Sequence, residues 1–143
     1  MNQSSNLWEI VEIESICRIV RGSSPRPKED PRYYGGPVPR LMVEDLTRDG
    51  KLAYPKIDSL TLEGATQSRP VPAGTVVMVV SGQVGRVARV AVDACIHDGF
   101  VGFLDLDTSR VDPDYLIYCL ENSKAEHQKN VAALKLLEKK EKQ

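Results

Sequence analysis

The sequence predicts an α+β fold: a β-rich body of short strands followed by a C-terminal helix. Three observations predict it. Residues 72–104 hold apolar runs of strand length, separated by turns rich in Gly and Asp. Residues 22–39 contain Pro25, Pro27, Pro31, Pro37 and Pro39, which forbid a regular helix or a central strand there. Asp112-Pro113-Asp114 has the form of a helix start, and the residues after 130 repeat with a helical period.

Each element follows from local pattern. Trp8-Glu9-Ile10-Val11-Glu12-Ile13 alternates apolar and charged residues, as a half-buried strand does. Residues 14–21 suit one helical turn and a short strand. Residues 22–39 read as an ordered surface loop, because Tyr33 and Tyr34 give it something to pack. Residues 41–46 suggest a short strand or turn. Arg48-Asp49-Gly50-Lys51 suggests a turn, with Asp-Gly as its signal. Residues 59–67 suggest a helix capped by Ser59 or Thr61, with Glu63 in its first turns.

The chain then exits through Pro70 and Pro72 into the apolar strand 75–80. The turn Ser81-Gly82-Gln83-Val84-Gly85 leads to a second strand. The segment from Asp93 to Phe100 precedes a third. Asp112 caps the next helix, Pro113 sits in its first turn, and Tyr115-Leu116 lie within it. Val131, Leu134 and Leu137 form an amphipathic stripe in a charged tail. The expected organisation is one domain over residues 1–122 and a helical tail, a spacer or interaction helix, over 123–143.

At 143 residues the chain suits a single domain with a real core. Formal net charge is −1 and the isoelectric point is about 6.1. The whole molecule is therefore not an electrostatic nucleic-acid binder, and any such contact must come from a local basic face. Cys17, Cys95 and Cys119 have no metal-ligand spacing, which fits buried thiols in a reduced, cytoplasmic setting. The first ten residues are polar, unlike a signal peptide. No apolar run approaches the ~20 residues of a membrane span.

Local chemistry concentrates in two places. Arg18, Arg21, Arg26, Lys28, Arg32 and Arg40 cluster near Tyr33 and Tyr34, against only Glu29 and Asp30. Such a loop suits DNA: cations neutralise phosphates, Arg pairs bidentately with guanine, and Tyr stacks or fills a groove. The alternative is a solvated loop whose tyrosines pack on the body. In the turn at 81–86, Gln83 suits adenine and Arg86 a guanine or a phosphate. The alternative there is a hairpin whose glycines only supply positive φ.

Other chemistries fit poorly. No Gly-Lys-Ser/Thr follows the glycines, so this turn is not a phosphate-binding P-loop. Cys95 and His97 share a strand face while Asp98 points away, and two ligands do not make a zinc site. Asp114 with Glu138-Lys139-Lys140 imitates a nuclease constellation, but both pieces fall on helices, where a metal cannot bridge them. A methyltransferase would need a Gly-rich loop entering a helix and an Asn-Pro-Pro-Tyr-type sequence; neither is present.

In order and spacing these motifs resemble the target recognition domain of the specificity subunit of type I restriction–modification enzymes. Residues 8–22 resemble its entry strand, short helix and glycine. Gly35-Gly36-Pro37-Val38-Pro39-Arg40-Leu41 is similar to its loop-to-strand step. Residues 81–85 resemble its Gly-containing hairpin, Gly99-Phe100 its buried strand start, and 112–120 its Tyr-Leu helix. The chain departs from the pattern after Asn122. The family's Gly-Thr-rich loop, further strands, Pro-rich step and long spacer helix are replaced by a charged tail. Complete subunits also carry two such domains.

The resemblance implies sequence-specific double-stranded DNA recognition without catalysis. It implies a modification subunit that transfers methyl from S-adenosylmethionine to adenine. It also implies a restriction subunit that translocates and cuts; ATP and Mg are expected only on partners. It implies DNA contacts from Arg26, Lys28, Arg32, Tyr33, Tyr34, Arg40, Gln83 and Arg86. Val131, Leu134 and Leu137 become candidate partner-binding residues. The alternative is a truncated half-subunit that pairs, even as a homodimer, through its helix and has no independent DNA readout.

Overall fold

A computed structural model of the chain describes residues 13–122. Residues 13–16 are helical, and twelve elements follow. They are β1 (Arg18–Arg21), β2 (Tyr34–Leu41), α1 (Val43–Asp49), β3 (Leu52–Ala53), β4 (Asp58–Leu60) and α2 (Leu62–Ala65). Next come β5 (Arg69–Val71), β6 (Val76–Val79), β7 (Val87–Val90), β8 (Ala94–Ile96), β9 (Phe100–Leu104) and α3 (Pro113–Asn122). The class is α+β, short strands plus a helix, as the sequence predicts. Among the described residues no helix is long and apolar enough to cross a membrane.

The strands form two mixed sheets. One has five strands in the order β1-β9-β6-β7-β3, the other four in the order β4-β2-β8-β5. In the first sheet only β3 and β7 run parallel; in the second only β2 and β8 do. The five-stranded sheet is the middle layer. Ile19, Val76, Met78, Val87, Val101 and Phe103 pack with Ile13 and with Leu116, Ile117 and Leu120 of α3. Val20, Val77, Val79, Ala88, Val90 and Phe100 pack the other way, with Leu41, Val71, Ala94 and Ile96 of the second sheet and Leu46 of α1. A strand alternates its side chains between faces, so burial on both faces requires a continuous apolar run. That is why β6 reads VVMV without a polar residue.

The helix at the end forms as its signals predict. Asp112 Oδ2 accepts from the backbone N–H of Asp114 at 2.9 Å and of Tyr115 at 3.3 Å. Ion pairs Arg89–Asp114 (3.2 Å) and Lys51–Glu121 (2.9 Å) tie α3 to the sheet.

Four local readings change. First, Tyr34–Leu41 is an interior strand, not loop, despite Pro37 and Pro39. The parallel ladder with β8 engages only Arg40 and Leu41, beyond both prolines. On the β4 side a bulge separates Tyr34 from Val38. The missing proline N–H groups therefore fall where β8 demands no donor. Second, of residues 41–46 only Leu41 lies in a strand, at the end of β2; Met42 is the N-cap and Val43 onward form helix α1. Asp45 Oδ2 accepts from Met42 N–H at 2.9 Å, and Leu46 packs inward beside Val43. Third, Arg48-Asp49-Gly50-Lys51 is the end of that helix: Gly50 takes φ 76° and donates to Leu46 O at 3.1 Å. Fourth, the helix expected over 59–67 shrinks to α2. Ser59 joins β4 opposite Pro39, with Leu60 fully buried beside it, while Thr61 Oγ1 caps α2 by accepting from Gly64 N–H at 2.9 Å. Of the alternating stretch at 8–13 only Ile13 is described, and it is helical, not strand; the rest of that stretch and the stripe Val131, Leu134, Leu137 lie outside the described residues.

Candidate nucleic-acid interface

The basic loop between β1 and β2 is built around Asp30. Its carbonyl accepts from the N–H groups of Tyr33 and Tyr34 at 2.9 Å each, and its carboxylate accepts from Arg32 N–H at 2.9 Å. The Arg26–Pro27 peptide is cis. Arg32 folds back to place Nη2 3.0 Å from Asp30 Oδ2, with its guanidinium 4.8 Å from the Tyr33 ring centroid. The Arg32 hydrogen bond holds the Asp30 carboxyl below its ordinary range and the Arg32 guanidinium above its own.

The residues singled out from sequence separate into two groups. Tyr33 is buried, only 7% exposed, and its carbonyl accepts from Thr61 N–H at 2.8 Å. Tyr34 donates its hydroxyl to Pro25 O at 2.9 Å. Arg40 is a clamp: Nη1 lies 2.7 Å from Asp58 Oδ2, Nη2 3.0 Å from Ser24 Oγ, and the guanidinium 5.5 Å from the Tyr34 ring. Only 11% of its side chain is exposed. These three hold the loop to the second sheet through the bonds just named, while the buried Arg40 Nε has no hydrogen-bond partner among the described residues. Arg26 and Lys28 are exposed and have no carboxylate partner among the described residues. Gln83 and Arg86 are also exposed, joined by an Arg86 Nε to Gln83 Oε1 hydrogen bond of 2.8 Å. Their loop is closed by Val79 N–H to Arg86 O (2.8 Å) and Gly85 N–H to Val79 O (2.9 Å).

Backbone contacts gather the start of the basic loop, the 80–86 loop and the 97–99 turn at one end of the molecule. Val80 N–H donates to Gly99 O at 2.8 Å; Gly22 N–H donates to Phe100 O and Ser23 N–H to Ile96 O, each at 3.0 Å. Two more cations stand there, Arg21 and Arg69. Neither has a carboxylate within ion-pair distance among the described residues. Arg69 was hidden in a stretch that reads as a proline-bounded exit; its place in β5 depends on a distant partner strand.

The same corner holds His97, whose Nδ1 accepts from Gly99 N–H at 2.9 Å and whose ring lies 4.8 Å from Phe100. Burial, and then the Arg40 cation, push its pKa below the ordinary histidine value of 6.5, against Asp98, Glu44 and Asp58. Because the folded state resists the proton, the unfolded chain binds more protons below pH 6.5. The stability that neutral His97 supplies is complete above pH 6.5 and is lost as pH falls through 6.5 toward the lower folded value. Denaturant midpoints are expected to drop between pH 7.5 and pH 5, and His97→Gln to flatten that slope. Parallel pH profiles in both proteins would refute this.

Cys95 is fully buried, and burial raises its thiol. Burial, helped by Asp105 and Glu14, pushes the Cys17 thiol up to about 12. Neither fits an activated nucleophile. Among the described residues no three His, Cys, Asp or Glu side chains gather as a metal site would require.

No family model matches the chain. Solved structures do. The HsdS subunit from Thermoanaerobacter tengcongensis aligns with a TM-score of 0.60 at 19% identity, over 90% of this chain and 36% of that one. A chain from a structure of complex assembly and conformational transition in the type I R-M system aligns with a TM-score of 0.58 at 20% identity, over 90% of this chain and 37% of that one. The chain thus spans little more than a third of the proteins it matches. Over nine-tenths of its own length, its two-sheet architecture is similar to part of an HsdS chain from a type I R-M system.

Proposed function

We propose that this chain is a non-catalytic target recognition module of a type I restriction–modification complex and reads double-stranded DNA. Methyl transfer from S-adenosylmethionine, and the ATP- and Mg-dependent steps, then belong to modification and restriction subunits. The observation that carries this reading is a conjunction. An HsdS-like fold presents Arg26 and Lys28, free of carboxylate partners among the described residues, in a loop whose start bonds the 96–100 segment, as does the start of the loop bearing Gln83 and Arg86. With a formal net charge of −1, attraction to DNA has to come from such a face.

The reading is tested by salt dependence, on the full chain alone and mixed with a type I modification subunit. Each phosphate contact contributes about 0.9 to the log–log slope of affinity against salt. Arg26→Ala with Lys28→Ala is expected to lower that slope by about 1.8. Arg32→Ala is expected to change it far less, because Asp30 already neutralises Arg32. An unchanged slope in the double variant would show that the loop faces away from DNA.

A further inference from the structure

The turn between β8 and β9 is the piece of chain to which both candidate loops are tied, and its backbone is held throughout. Ile96 O accepts from Ser23 N–H and Phe100 O from Gly22 N–H, each at 3.0 Å, at the start of the basic loop. Gly99 O accepts from Val80 N–H at 2.8 Å, at the start of the loop bearing Gln83 and Arg86. His97 O accepts from Phe100 N–H and Asp98 O from Arg21 Nε, each at 3.0 Å. Every carbonyl from 96 to 100 is thus engaged.

The His97 ring is fixed on this frame. Its Nδ1 accepts from Gly99 N–H at 2.9 Å, and Phe100 lies against it at 4.8 Å between centroids. A side chain at 99 would crowd it: a Cβ there would stand 2.8 Å from His97 Cε1. A backbone N–H can only donate, so Nδ1 carries no proton and the neutral ring holds its proton on Nε2. Asp98 Oδ1, 4.0 Å from Nδ1, is too far to change that by a hydrogen bond. Nε2 has no hydrogen-bond partner among the described residues. It is not enclosed either: the buried side-chain nitrogens and oxygens without a partner there are Arg40 Nε and Arg89 Nε. With 16% of the side chain exposed, His97 therefore presents one uncharged donor of fixed direction to solvent, between the two loops.

We infer that the Nε2–H of His97 reads a keto oxygen on a base edge in the major groove, guanine O6 or thymine O4; this rests on the reading of the chain as a DNA-recognition module. An N–H donates and cannot accept. It pairs with a keto oxygen and is refused by the amino groups that adenine and cytosine present at the same place. Phosphates are held more strongly by cations, and Arg26 and Lys28 are at hand for that. Discrimination between bases needs a donor that cannot turn to suit the wrong partner, which a ring bonded at Nδ1 and packed on Phe100 supplies.

The test has two arms on the full chain. In the first, 15N NMR of the imidazole is expected to show the proton on Nε2 in the free protein. The opposite tautomer overturns the inference. In the second, the chain mixed with a type I modification subunit selects from a pool of random-sequence duplexes, and the selected sequences are compared between variants. His97→Asn reaches only as far as Nδ1, so it keeps an acceptor for Gly99 N–H and loses the outer donor. It is expected to lose a preference for G or T at one position, by about threefold to tenfold, the worth of one hydrogen bond. Other positions should hold, and so should the salt slope, because no charge is removed. His97→Gln reaches as far as Nε2 and is expected to restore part of that preference. Thermal unfolding checks that each variant is folded. An unchanged preference in His97→Asn, or equal weakening on all sequences, sinks the role of His97 and leaves the DNA reading standing. A wild-type chain that enriches no sequence sinks the DNA reading and this inference with it.

Discussion

Replacing Asp45 with Ala is expected to destabilise the chain by about 2–4 kcal/mol, a fall in melting temperature on the order of 10 °C. Asp45 is completely buried. One carboxylate oxygen accepts from Met42 N–H at 2.9 Å and the other from Lys56 N–H at 3.1 Å, with Arg48 Nη2 also 3.1 Å away. The group thus starts α1 and fastens the segment after β3 onto it. Removing it leaves two main-chain donors without acceptors, and each buried unsatisfied group costs about 1–3 kcal/mol. Arg48 suffers less, because Asp49 still lies 2.7 Å from it. Asp45→Asn keeps one acceptor and should lose roughly half as much. Denaturant titration measures both; a loss under about 0.5 kcal/mol for the alanine variant would show that water replaces the carboxylate freely.

Gly22→Ala is expected to cost roughly 3 kcal/mol, at the upper end of overpacking effects. A methyl group at position 22 would lie 2.0 Å from His97 O and 2.6 Å from Ile96 O. Both are backbone atoms, so no side-chain rotation relieves the clash. The chain crosses from the first sheet to the second at this point. A shift there breaks Gly22 N–H to Phe100 O and Ser23 N–H to Ile96 O, and carries Arg21 away from Arg69. The variant should therefore lose stability, read as a lower denaturant midpoint. A substitution tolerated within 0.5 kcal/mol would mean the two sheets separate easily at this corner.

Parts of this architecture are legible without coordinates because their cause is local. The run at 75–80 is apolar at every position but Thr75, as a strand buried on both faces must be. Asp112 and Pro113 announce α3 because a cap needs an acceptor and a first turn needs no donor. The sequence misleads where the cause is distant. Pro37 and Pro39 argue against a central strand until β8 is seen to pair only with Arg40 and Leu41. Helix α1 is hidden because its cap comes from Asp45, within the helix, instead of from a Ser, Thr or Asp ahead of it.

The same division runs through the candidate interface. Sequence by itself determined the α+β class, the strands of the middle layer, the final helix and the concentration of cations in residues 18–40. Period, capping and turn chemistry act between residues a few positions apart, so the chain carries them in plain order. Only the tertiary structure decided which cations stay available. Arg40 is neutralised by Asp58, eighteen positions on, while Arg21 is brought to Arg69 across the meeting of two sheets. Charge pairing depends on distance in space, and sheet topology, unlike helix period, places together residues that the chain keeps far apart.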